Sequence, residues 1–279
     1  MSGLWRDRRG RSGLLILAAA VLLALAAPLV TDGHPDRQRD VTVTRFLPPL
    51  STDVHGARHL LGTDRFGRDV WTRLAYGARV SLGVGALAVA LSVAVGVLVG
   101  GLAGVARGAL AHGLLALTDF ALALPRIVLL LLLASLWRPS AGLVIVVLGL
   151  TGWMGIARLV FGEVRALDAR GFAQSARALG AGTLRVFWRH LLPNALTPVI
   201  VAAALGVGNA ILLEAGLSYL GLGVQPPTAS WGSMIASGRD TLVNAPWVAV
   251  APGLALVLVV VACTLLGDAL RDRLAPGGA

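Results

Sequence analysis

The sequence has no lysine: all 24 of its basic residues are arginine. A P-loop needs a lysine to reach the β- and γ-phosphates, so this chain carries none, and any ATP hydrolysis tied to its work belongs to another subunit. It has one cysteine, Cys263, set in an apolar block. That excludes an intrachain disulfide and a cysteine metal cluster. Charge is scarce as well: 14% of residues are charged and 56% are hydrophobic, where a soluble domain carries about 25% charged residues. The deficit is concentrated in charge-free blocks, the pattern of an integral membrane protein. The net charge of +10 would suit nucleic acid. The arginines instead gather at the edges of the apolar blocks, where positive charge orients a membrane chain. Nucleic acid is set aside as a partner and membrane lipid is expected.

Six apolar blocks are legible, and they predict an all-α integral membrane fold. The first, 14–30, follows the basic run Arg6, Arg8, Arg9 and Arg11. A signal peptide cleaved near Ala24-Leu25-Ala26 is the rival reading; the block's length and the spans that follow favour an uncleaved anchor. A polar stretch covers 31–79. The second block, 80–105, carries Gly96, Gly100 and Gly104 at four-residue spacing, a stripe that lets another helix approach closely. The third, 114–136, is interrupted by Asp119, Pro125 and Arg126. The fourth is 141–157, the fifth 195–213 and the sixth 247–267, before a short charged tail. Three regions follow: 1–79 with the N-terminal tail, first span and outer segment; a core at 80–267 with a loop at 158–194; and a tail at 268–279. The positive-inside rule places both termini and the 158–194 loop in the cytoplasm. No internal repeat is visible, which disfavours secondary transporters built from inverted halves.

The loop reads RLVFGEVRALDARGFAQSARALGAGTLRVFWRHLLPN. One short helix ends at Gly180, a residue suited to a left-handed C-terminal cap. Within it Phe172, Ala176 and Leu179 form one apolar face. A second begins near Thr183, with Leu184, Phe187, Trp188 and Leu191 on one face and Arg185 and Arg189 on the other. Pro193 is expected to stop it before the fifth span. Such an elbow can serve as a rigid knob for a partner's groove, or can lie on the membrane surface holding arginines near anionic headgroups.

This stretch resembles the E-A-A, three residues, G, nine residues, I-x-L-P signature of ABC importer permeases. Gln174-Ser175-Ala176 stand at E-A-A, Gly180 is the glycine, His190 stands at the isoleucine and Leu192-Pro193 close the motif. LGTDRFGRDVWTRLAYGARVSL (61–82) and EAGLSYLGLGVQPPTASWGSMI (214–235) are similar to segments of the dipeptide, oligopeptide and nickel branch. Gln174 and Ser175 depart from the signature, and Gln174 lacks the charge of a glutamate. The resemblance implies a type I ABC importer permease fold and a subunit that is not itself an enzyme. It implies a second, homologous permease, two ABC ATPase subunits that use ATP and magnesium, and an extracytoplasmic substrate-binding protein. The bacterial cytoplasmic membrane is its implied location. The coupling helix would run from about Phe172 to Gly180, with Arg177 and Leu179 among its contact residues. A secondary transporter or channel without an ATPase, and a membrane-anchored scaffold, are the rival readings.

Two acids stand within or beside the apolar blocks. Asp119 could pair with Arg126 or sit at the opposite edge of its span, and Glu214 falls at the end of span five. An intramembrane acid usually faces a cavity or a partner, so a pore or gating role is open for both. His55 and His59 are spaced i, i+4, with His34 in the same segment; a solvated loop is preferred to a metal site there, and no metal is expected. Trp231 and Trp247 read as interfacial anchors. No catalytic constellation is recognisable.

Overall fold

In the computed structural model, residues 7–31, 33–38 and 40–274 are described. Arg6 and the last five residues of the expected tail lie outside them. Helix α1 (Arg8–Val30) starts at Asp7, whose carboxylate accepts the amides of Arg9 and Gly10 at 3.0 and 3.3 Å, the usual remedy for unsatisfied first-turn donors. Pro28 interrupts its ladder, since proline cannot donate to the carbonyl of Ala24. Arg79 fills that vacancy: its guanidinium donates to the Ala24 carbonyl and, at 2.8 Å, to that of Leu25.

A polar cap follows α1. It contains the short helix α2 (Val41–Thr44) and an antiparallel pair, β1 (Ser51–Thr52) and β2 (Arg58–His59). Helix α3 (Val70–Val105) is capped by Asp69, which accepts the Thr72 amide at 2.7 Å. Its 36 residues extend about 54 Å at 1.5 Å per residue, well beyond the ~30 Å hydrocarbon thickness. The helix thus begins ten residues before the expected span at Val80. Arg73 and Arg79 hid that start by interrupting the apolar run; Arg73 is buried against the Pro35 carbonyl (3.1 Å) and Asp36 (3.4 Å).

The third apolar block is not one straight helix. It divides into α4 (Ala109–Ala123) and α5 (Arg126–Ser135), bent by 86°. Leu124 is extended at φ −75°, ψ 132°, the conformation that a following proline imposes. Helix α6 (Ala141–Asp168) continues eleven residues past the expected end at Ala157, which shortens the loop that follows. That loop holds α7 (Gly171–Ala178), α8 (Thr183–Val186) and a π-helical turn at Phe187–Leu191. Pro193 does not stop the chain. It occupies the first turn of α9 (Leu192–Tyr219), and the π turn before it bonds the Leu192 amide to the Phe187 carbonyl. A widened turn at this point accommodates the missing proline donor. Helices α10 (Trp231–Gly238) and α11 (Trp247–Leu274) complete the fold.

Among the described residues five helices are long and apolar enough to cross a membrane, and the bent α4–α5 pair, taken as one span, makes six. Contacts order them end to end. The Trp71 indole donates to the Val30 carbonyl, and that of Trp247 to Thr63, both at 3.1 Å. The end of α1 and the starts of α3 and α11 therefore meet at the cap. Arg165 of α6 donates to the Ala106 carbonyl at 3.1 Å, which puts the end of α3 beside the 169–191 elbow at the opposite end. The start of α1 and the end of α11 share that elbow end.

Candidate functional site

Two turns and an arginine build the elbow. Gly180 has φ +86°; its amide bonds the Arg177 carbonyl at 2.9 Å and the Ala181 amide bonds Ala176 at 3.0 Å, a Schellman closure that requires the left-handed residue. An ion pair between Arg177 and Asp168 ties α7 back to the end of α6. Gln174 donates from Nε2 to the Ala169 carbonyl at 3.3 Å, a bond that a glutamate could not donate. The faces differ from the expected ones. Ala173, Val186, Phe187, Leu191 and Leu192 are buried among α6 and α9 side chains, with Ala176 packed beside them. Phe172, Leu179, Leu184 and Trp188 are exposed, Leu179 at 89% and Trp188 at 62%. The periodicity joined Phe187 and Leu191 to Trp188 because an ideal 3.6-residue helix puts them together; the π turn shifts that register. His190 stands with its ring 6.5 Å from that of Phe172. Ser175 is exposed, and Pro193 sits at the elbow's exit into α9.

The glycine stripe lies at the α3–α6 crossing. A Cβ on Gly96 would fall 2.6 Å from that of Ile156, and one on Gly104 would fall 2.6 Å from Val164. One on Gly100 would overlap the Ala157 carbonyl. Gly101, which the sequence did not single out, receives the Phe187 ring in the same way, at 2.9 Å, so the base of the elbow is keyed into α3.

The two candidate acids separate. Asp119 does not pair with Arg126; it forms an ion pair with Arg158 of α6, each about half exposed. Glu214 is not at the end of its span, because α9 runs five residues further. It is fully buried, and accepts from Ser218 Oγ at 2.7 Å and Ser81 Oγ at 3.1 Å. Ser81 Oγ in turn accepts the Trp231 amide at 3.1 Å. Trp231 is not an interfacial anchor: 1% exposed, it donates from its indole to the Leu74 carbonyl at 3.1 Å. Trp247 is likewise committed to the Thr63 carbonyl of the cap. The serines carried no signal of their own, since Ser81 and Glu214 are 133 residues apart.

In the cap, His55 and His59 share no helical face. His59 is buried, its Nδ1 2.8 Å from Asp69 Oδ1 and its Nε2 3.5 Å from Asp53 Oδ2. Burial pushes the Asp53 carboxyl up, but amide donors from Ala57 and His55, with His59 beside it, together hold it below its ordinary value. Among the described residues no three His, Cys, Asp or Glu side chains come together as a metal site.

Compared with known proteins, residues 96–277 match the family described as binding-protein-dependent transport system inner membrane component. The chain is 40% identical over 265 residues to the di/tripeptide transport system permease protein DppC of Pseudomonas aeruginosa, covering 95% of this chain and 86% of that one. It is 39% identical over 272 residues to the dipeptide transport system permease protein DppC of Escherichia coli K12, covering 97% and 90%. Among solved structures, the inward-facing MetNI methionine ABC transporter has a chain that superposes with a TM-score of 0.58 at 21% identity, over 73% of this chain and 97% of that one.

Proposed function

This chain belongs to the family of binding-protein-dependent transport system inner membrane components, and from that premise we propose that it is one of two homologous permeases in an ATP-driven importer of di- and oligopeptides. Its DppC relatives carry dipeptide and di/tripeptide transport in their names; nickel has no such support. Two ABC ATPase subunits bind below the pair and use ATP and magnesium, while an extracytoplasmic binding protein delivers the peptide to the cap end. Both termini and the elbow face the cytoplasm. The arginines at that end favour this orientation, with Arg170, Arg177, Arg185 and Arg189 on the elbow and Arg271 and Arg273 closing α11.

The observation that carries the reading is the exposed apolar tip on a stiff elbow. Leu179, Leu184 and Trp188 project from a segment whose other side is locked by Phe187, Ala173 and the Arg177–Asp168 pair. Large apolar groups on a tightly held projection fit a partner's groove, and the locked base passes displacement into α3, α6 and α9. ATP binding draws the two ATPases together, the two elbows follow, and the pore turns outward; hydrolysis resets it. Such switching needs a bistable assembly biased by a ligand.

Gentle-detergent purification from native cells tests this, with mass spectrometry of what accompanies the tagged chain. ATPase subunits and a second permease are expected. Leu179→Ala with Trp188→Ala should reduce ATPase recovery by about tenfold or more, the usual cost of losing a buried tryptophan anchor, without loss of membrane insertion. Recovery of the chain alone, from a preparation that preserves other membrane complexes, would favour a transporter that needs no ATPase.

A further inference from the structure

The break in the third span sets a positive charge at mid-membrane depth. Arg126 is the first residue after the 86° bend, and it lines a cavity of about 270 Å³ together with Ser92, Gly152 and Asn209. Gly152 lies eleven residues from the cap end of α6 and Asn209 ten from the cap end of α9, about 15–17 Å along each helix at 1.5 Å per residue. Ser92 is thirteen residues from the elbow end of α3. The cavity therefore sits near the middle of the bundle's height. Gly152 keeps the space open: a Cβ there would meet the Ser92 hydroxyl and come within 3.4 Å of Arg126 Nη2.

Arg126 has no ion-pair partner among the described residues; the nearby acid, Asp119, is held by Arg158. The Asn209 side-chain amide is exposed and makes no hydrogen bond among them either. The Ser92 hydroxyl is committed to the Gly149 carbonyl at 3.0 Å. An unpaired guanidinium and an unpaired amide at this depth are costly against lipid and are found facing a bundle interior or a water-filled path. The same face thus belongs to the translocation path, and its chemistry is selective. A guanidinium forks onto a carboxylate with two parallel hydrogen bonds, while an asparagine amide can both donate to and accept from a peptide group.

We propose that Arg126 and Asn209 form a substrate subsite within the path, where Arg126 takes the C-terminal carboxylate of a passing peptide and Asn209 its adjacent peptide bond. The inference rests on the peptide-importer reading and adds a selectivity step that the binding protein does not supply.

The test uses the whole transporter, with its ATPases, second permease and binding protein, in proteoliposomes. Uptake of a dipeptide and of its C-terminal amide is measured for wild type and Arg126→Gln, with the same binding protein, so the change in the acid-to-amide ratio reports the permease alone. Loss of a charge-assisted bidentate contact should lower that ratio by about tenfold or more, while ATPase stimulation by the loaded binding protein persists. Arg126→Lys, which keeps the charge and loses the fork, should give an intermediate ratio and carries the test if the glutamine variant fails to assemble. Asn209→Ala should slow both substrates alike. An unchanged ratio in the arginine variants overturns the subsite alone. Separation of the two permeases on replacing Arg126 overturns it too, by showing that a partner carboxylate is its ligand. A wild-type transporter that imports neither peptide overturns the importer reading and the subsite with it.

Discussion

Ser81 of α3 donates to Glu214 of α9 at 3.1 Å and accepts the backbone amide of Trp231 in α10 at the same distance. One hydroxyl thus joins three helices, and the carboxylate it serves is completed by Ser218. Apolar burial gives little drive for helix association in lipid, so packing and such hydrogen bonds hold these helices together. Glu214 is accordingly a fastening of the α3–α9–α10 junction.

Glu214→Leu should therefore destabilise the assembled permease by about 3 kcal/mol, from lost hydrogen bonds to a carboxylate and two stranded hydroxyls. Glu214→Gln, which keeps an acceptor oxygen, should cost about 1 kcal/mol. Thermal unfolding of the purified complex checks both, and equal effects would remove Glu214 from the junction.

Gly180 makes a distinct prediction, because nothing lies within 4 Å of where a Cβ would sit. The demand there is conformational, not steric: φ is +86°. A β-branched residue costs about 1–2 kcal/mol or more in that region, whereas asparagine visits it readily. Gly180→Val should uncouple ATPase activity from peptide uptake while membrane insertion stays intact, and Gly180→Asn should retain most coupling. Normal uptake by the valine variant would break the link between elbow geometry and coupling.

At Gly100 the demand is space. Gly100→Ala should destabilise by about 1–3 kcal/mol, because the added carbon overlaps the Ala157 carbonyl and the two helices must separate. Gly113→Ala, where nothing lies within 4 Å, is the control and should be neutral in the same unfolding measurement.

In the cap, the two histidines should behave differently. His55→Ala should leave uptake and stability unchanged. His59→Ala removes the ring between Asp53 and Asp69 and should destabilise the cap by about 1–3 kcal/mol, the cost of leaving a buried carboxylate oxygen without its hydrogen-bond partner. Asp53, held below its ordinary value of 3.8, stabilises the cap above that pH; the contribution is lost as the pH falls further, through its folded value. Hydrogen exchange at the Ala57 amide, corrected for intrinsic pH dependence, should accelerate as the pH falls through that range.

Charge-free blocks between arginines located the membrane helices, because a bilayer imposes length and apolarity on each segment separately. The Gly180 turn was equally legible, being a local backbone requirement, and so was the spacing of Gly96, Gly100 and Gly104 along one helix face. The sequence alone thus determined a six-span helical permease with a stiff elbow at one end. The positions it misread depend on distant partners. Trp231 looked like an interfacial anchor until the Leu74 carbonyl came beside it. Asp119 was nearer in sequence to Arg126 than to the Arg158 it pairs with. Pro193 reads as a helix stop because local rules contain no π turn. Only tertiary structure decided the burial of Glu214 and the side of the elbow left bare. Each follows from which helix packs against which, and close approach between segments far apart in the chain leaves no periodic trace in either one.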